Sequence, residues 1–172
     1  MKRFFFSSAV LVLASTLFGS CAYATTGVTD WLNLGDPAYG EQLQAAINAL
    51  PSTGGTIYVP AREFPQNTVV SFPANKPVRV IGAGSHASVL YFQISAGKAP
   101  YITISDDDQT LESLGIRGGI VGTHTAIKVD PGPAQQIRGF ALTDVNIVEV
   151  KGWSLDIGDV NDDGGEILDA RF

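Results

Sequence analysis

Leu43, Ala46, Ile47 and Leu50 fall at i, i+3, i+4 and i+7, the spacing that lines four apolar side chains along one helical face. Pro51 closes that helix, and Gly54-Gly55 gives the chain a sharp reversal. Thr56, Ile57, Tyr58 and Val59 are all β-branched or aromatic and predict a short strand, which Pro60 ends. An amphipathic helix needs an apolar partner, and nearly everything after it reads as short strands. The helix is therefore expected to cover the end of a β structure.

Candidate strands continue at residues 68–72, 78–81, 89–94, 101–104, 114–117, 126–129, 141–150, 153–157 and 166–170, separated by Gly, Pro, Asn and Asp. No second helical pattern occurs, and the stretch 25–37 reads as turn-rich, with Trp31 and Leu32 as anchors onto the body. This punctuation suits sandwiches, barrels and stacked β architectures alike. A loose repeat favours the last. Leu114-Gly115-Ile116 recurs as Val145-Asn146-Ile147, and Ile127-Lys128-Val129 recurs as Leu155-Asp156-Ile157, in the same order and about 30 residues on. Strands that return in order after turns of variable length are expected to stack on their own earlier copies.

The helix with Leu43-Gln44-Ala45-Ala46-Ile47, followed by Gly54-Gly55-Thr56-Ile57-Tyr58-Val59-Pro60-Ala61, resembles the N-terminal cap and first coil of the pectate-lyase-like right-handed parallel β-helix proteins. The branch it resembles groups rhamnogalacturonase-like and epimerase-like sequences. Val80-Ile81-Gly82-Ala83-Gly84 with Val89-Leu90 is similar to the next element of that family. Ala61-Arg62-Glu63-Phe64 departs from it, because a glycine-containing turn commonly precedes the aromatic residue there. The resemblance implies an all-β, right-handed, single-stranded parallel β-helix (a pectin-lyase-like solenoid) with an N-terminal capping α-helix over residues 25–172. Members of the family run longer, so it also implies that these residues are the N-terminal portion of a larger protein.

The start of the chain changes the picture of where this domain works. Lys2 and Arg3 precede an apolar run over residues 4–18, and Ala22-Tyr23-Ala24 follows, the layout of a secretory signal peptide (1–24) cleaved after Ala24. The protein is thus expected to be secreted or periplasmic. Lipidation at Cys21 is the lesser reading, since Leu17 stands four residues before it and a lipid box places leucine three before. Cys21 is the only cysteine, so no disulfide framework holds the domain together. The net charge of −6 argues against nucleic acid, whose phosphates call for clustered Lys and Arg.

Several motifs bear on chemistry. Gly82-Ala83-Gly84-Ser85-His86-Ala87 fits a dinucleotide fingerprint, with Asp106 near the place of a ribose-binding carboxylate. Residues 88–94 read as strand, however, and without a helix N-terminus nothing there holds a pyrophosphate. The glycines are read as a turn, and no nucleotide is expected. Asp159-Val160-Asn161-Asp162-Asp163-Gly164 opens like a calcium loop, making Asp159, Asn161 and Asp163 candidate calcium ligands. Glu166 stands where that loop expects an apolar residue, and Ala170 where it expects a carboxylate. Asp106, Asp107 and Asp108 form a second candidate calcium cluster. Both acidic runs also read as solvated turns.

His86 and His124 lack a zinc-type spacing partner, and no nucleophile elbow or catalytic cysteine is present. Arg117, Arg138 and Arg171 are candidates to face a sugar carboxylate, although lone arginines on such folds are usually surface residues. The family resemblance implies action on an acidic polysaccharide, as a pectate lyase or as a polygalacturonase or rhamnogalacturonase. In the lyase version calcium binds the uronate carboxylate and a basic residue removes the C5 proton. The paired aspartates, histidine and arginine-lysine motif of polygalacturonases have no equivalent here, so the catalytic residues are not identified. The alternative is a non-catalytic, carbohydrate-binding adhesin or spike-like β-helix.

Overall fold

The computed structural model describes residues 31–94, 97, 99–119, 122–131 and 136–158, together with the backbone of Glu166–Leu168. The expected signal peptide (1–24) with Cys21, Arg171 and the acidic positions Asp159, Asn161 and Asp163 lie outside the described residues.

Strands dominate, with one α-helix. In chain order come β1 (Trp31–Asn33), a 3-10 turn (Pro37–Tyr39), α1 (Leu43–Ala49), β2 (Gly55–Val59), β3 (Glu63–Gln66), β4 (Val70–Ser71) and β5 (Val78–Gly82). They are followed by β6 (Val89–Phe92), β7 (Ile102–Ile104), β8 (Thr110–Gly118), β9 (Ile127–Val129), β10 (Gln136–Arg138), β11 (Ala141–Val148), β12 (Leu155–Ile157) and β13 (Glu166–Leu168). Among the described residues every strand pairing is parallel.

The pairings form curled sheets made of three ladders. In the first, β1, β2, β5 and the leading parts of β8 and β11 lie side by side. In the second, β3 and β6 join the trailing parts of the same β8 and β11. The third runs β4, β7, β9 and β12, while β10 and β13 pair separately. Long strands serve two ladders because each bends once, at Ser113 and Asp144, whose φ values of 52° and 50° lie in the left-handed region. The repeat seen in the sequence is the register itself: Leu114 pairs with Val145, Ile116 with Ile147, and Ile127 with Leu155.

Alternation then decides what goes inside. Ile57, Val80 and Leu111 make one fully buried row, Phe64, Leu90 and Ile116 a second, and Val70, Ile102 and Ile127 a third. Between ladders, Phe92 stacks on Tyr101 with centroids 4.8 Å apart, and Tyr101 on His124 at 5.0 Å. Burial raises the Tyr101 pKa above its ordinary value, while a hydrogen bond from the Gly119 backbone works against that. His124 Nδ1 lies 2.7 Å from the Ala99 carbonyl, which can only accept, so Nδ1 carries a hydrogen and leaves Nε2 as the ring's other nitrogen. That Nε2 is buried without a hydrogen-bond partner among the described residues.

All four helix positions expected to be apolar are buried, with Leu43, Ala46 and Ile47 at 0 % exposure and Leu50 at 4 %. Glutamines fasten this cap. Gln66, itself 1 % exposed, accepts the Leu43 N–H at 2.7 Å and donates to the Glu41 carbonyl at 2.8 Å. Gln42 donates to the Pro65 carbonyl at 2.9 Å and accepts the Asn67 N–H at 3.1 Å; Gln44 accepts the Ser71 N–H at 2.7 Å and donates to its carbonyl at 3.2 Å. These two side chains pair with the open edges of β3 and β4 as a further strand would. Lys76 Nζ donates to the carbonyls of Ile47 (2.9 Å) and Leu50 (2.6 Å) at the end of the helix, where Ile47 also accepts the Leu50 N–H at 3.3 Å. At the reversal, Gly54 has φ 82°, and a Cβ there would lie 2.0 Å from the Pro77 carbonyl oxygen.

Some sequence expectations need correction. The turn-rich start contains β1, because its backbone pairs with β2. Residues 63–66, given no strand, form β3; Pro65 is tolerated there because β3 is an outermost strand of its ladder, pairing with β6 alone. The stretch read as a strand at 68–72 shortens to Val70–Ser71, and the one at 114–117 extends back to Thr110 through the bend at Ser113. Residues 136–138 form β10, which the sequence pattern did not suggest. After Gly82 the chain turns and enters β6, so the glycine motif opens a strand.

Candidate functional site

The outward face of the second ladder gathers most of the titratable side chains that the sequence could not connect. Register sets Pro65, Tyr91, Arg117 and Val148 in one row, and Glu63, Val89, Gly115 and Asn146 in the row beside it. Arg117 lies over the Tyr91 ring, 4.1 Å from its centroid. Its guanidinium holds Glu63 in a two-point contact, at 2.8 and 3.0 Å, and reaches Glu149 at 3.7 Å. A guanidinium clamped in this way is positioned firmly but is already neutralised by carboxylates of its own chain. Beside it a groove of about 490 Å³ is lined by Gly118, Gly119, Glu149, Val150 and Lys151.

The other edge of this face is built by residues 83–88, which lie flat across β8. Gly115 permits that: a Cβ there would stand 2.7 Å from the Ser85 carbonyl oxygen. Its N–H is bound by the Ser88 carbonyl at 2.8 Å, and the Ser88 hydroxyl donates to the Val59 carbonyl at 2.7 Å. The loop thereby spans one strand and touches the next. Ser85 Oγ donates to Asp144 Oδ1 at 2.7 Å, and His86 Nε2 lies 3.3 Å from Asn146 Nδ2. The Ser85 hydroxyl holds the Asp144 carboxyl below its ordinary value of 3.8; the Ser113 hydroxyl, the Ser85 backbone and His86 act in the same direction, and burial opposes them.

Ser85, His86 and Asp144 are the residue types of a hydrolytic triad, but their connections differ from one. The serine donates to the aspartate, and His86 Nδ1 stands 3.4 Å from Ser85 Oγ. In a working triad the base receives the serine proton and the carboxylate orients the base. Here the carboxylate takes the hydroxyl, and a lowered pKa makes it a weaker base. The cluster ties successive strands together and offers a fixed anion with an imidazole beside it. Sequence reasoning missed it because Ser85 and Asp144 are 59 residues apart.

Asp106, Asp107 and Asp108 sit in the turn between β7 and β8 and brace neighbouring turns. Asp106 accepts the N–H groups of Asn75 and, at 2.9 Å, Asp107; Asp107 Oδ1 accepts the Arg138 N–H at 2.7 Å. Asp108, with φ 55°, donates its N–H to the Arg138 carbonyl at 2.8 Å. Arg138 also donates to Gln136 Oε1 at 2.7 Å. Among the described residues, no three His, Cys, Asp or Glu side chains are grouped to hold a metal ion. Comparison with protein-family models, curated proteins and solved structures gave no match to this chain.

Proposed function

We propose that the described residues are the cap and first coils of a right-handed parallel β-helix of the pectin-lyase-like kind, exported by its leader and engaging an acidic polysaccharide as a pectate lyase or a polygalacturonase or rhamnogalacturonase would. The observation that carries this reading is the set of parallel ladders in which the sequence repeat and the strand register coincide, closed at one end by the amphipathic helix. Such stacking makes long flat outward faces on which an extended polymer can lie. The link from architecture to substrate is one of resemblance. Calcium, with Asp106, Asp107 and Asp108 and with Asp159, Asn161 and Asp163 as candidate ligands, belongs to the lyase version.

A non-catalytic polysaccharide binder is the second reading, and particular contacts favour it. Arg117 is clamped by Glu63 and Glu149, and the Ser85 hydroxyl is turned to Asp144. Incubating the full chain with a panel of acidic polysaccharides, with calcium or a chelator, separates the two. Unsaturated uronate ends that vanish with the chelator mark a lyase, and new reducing ends without unsaturation mark a hydrolase. Retention on the polymer with neither product marks the binder.

A further inference from the structure

The first ladder carries an outward face that none of the chemistry above uses. Leu32 points its strand inward onto the core, which leaves Trp31 and Asn33 on the outside of β1. Trp31 is 57 % exposed and stands opposite Thr56; Asn33 stands opposite Tyr58, which is 37 % exposed. The two large rings therefore occupy a diagonal of adjacent strands, with Cα atoms about 8 Å apart. Both are mounted on paired backbone, so little freedom is lost when something settles on them. The next strands place Arg79 and Glu112 on this face, joined at 2.5 Å, so these two charges cancel.

We propose that Trp31 and Tyr58 form a stacking platform for adjacent pyranose rings of one polysaccharide chain. This rests on the reading of the protein as polysaccharide-engaging and adds where and how the polymer is held. A pyranose ring presents an apolar C–H face to an aromatic ring and hydroxyls at its rim. Two exposed rings on a flat sheet, with the exposed Asn33 beside them, match that division of apolar and polar surface. Because the face carries no net charge from Arg79 and Glu112, the platform takes pyranose rings whether or not they bear a carboxylate.

Trp31 and Trp153 are the only two tryptophans, so a full-length Trp153→Phe protein leaves Trp31 as the sole indole reporter. Titrating it with tetragalacturonate and with the methyl ester of that oligosaccharide, calorimetry and Trp31 emission are expected to give the same saturable Kd. That Kd is expected to change by less than about twofold between about 0.05 and about 0.5 M salt. Tyr58→Ala is expected to weaken it about fivefold, and Tyr58→Phe to retain it. Calorimetric binding with no change in Trp31 emission overturns the platform and leaves the polysaccharide reading standing, and that result needs no variant at Tyr58. A Kd that rises steeply with salt, or is lost on esterification, also overturns it. No binding by either method overturns the platform, while the polysaccharide reading falls only if the wider panel of acidic polysaccharides also fails to bind. An emission change that follows protein concentration without sugar identifies a second copy as the occupant and overturns the proposal.

Discussion

Asp144 holds the bend of β11 in a left-handed conformation while its carboxylate receives the Ser85 hydroxyl from two passes of the chain earlier. Its pKa is lowered in the folded protein, so folding favours the charged form. The stabilisation is fully present above the ordinary value of 3.8 and is lost as pH falls from 3.8 through the lowered folded value. Ser85→Ala removes the largest cause of the lowering, so the Asp144 titration is expected to move up toward 3.8, as followed by carboxyl NMR. The acid-side loss of stability from this group is expected to shrink with it. An unmoved Asp144 titration in Ser85→Ala contradicts the hydrogen-bond account.

At the scale of elements, the cap shows how a sheet edge is protected without another strand. Gln42 and Gln44 each donate and accept one backbone hydrogen bond with the open sides of β3 and β4. Replacing both by alanine is expected to cost about 2 kcal/mol, from several partly exposed hydrogen bonds worth about 0.5 kcal/mol each. Thermal melting checks the total, and faster hydrogen exchange at Asn67 and Ser71 checks the location. Unchanged exchange at those two amides would show that the glutamines do not guard the edges. The helix was legible from its 3.6-residue period, and the pairing of β8 with β11 from the repeat of Leu114 and Ile116 in Val145 and Ile147. β1 was not, because three residues among turn formers become a strand only by pairing with β2. β3 was hidden by Pro65, which argues against a strand everywhere except at an edge. The glutamine contacts and the Ser85–Asp144 bond depend on which loops the stacking brings together, and no local pattern encodes that.

Among the described residues, the ladders put most chemistry-bearing side chains on outward faces, while the rows of Ile57, of Phe64 and of Val70 are apolar and fully buried. The second-ladder face offers ionic and polar groups that largely satisfy one another, and the first-ladder face offers exposed rings. Lyase, hydrolase and binder all require the same first step, so equilibrium binding tests the shared claim directly. Calorimetric titration of the full chain with polygalacturonate and other acidic polysaccharides is the measurement. Saturable binding to at least one of them is the predicted result, and a folded protein that binds none of them contradicts the account.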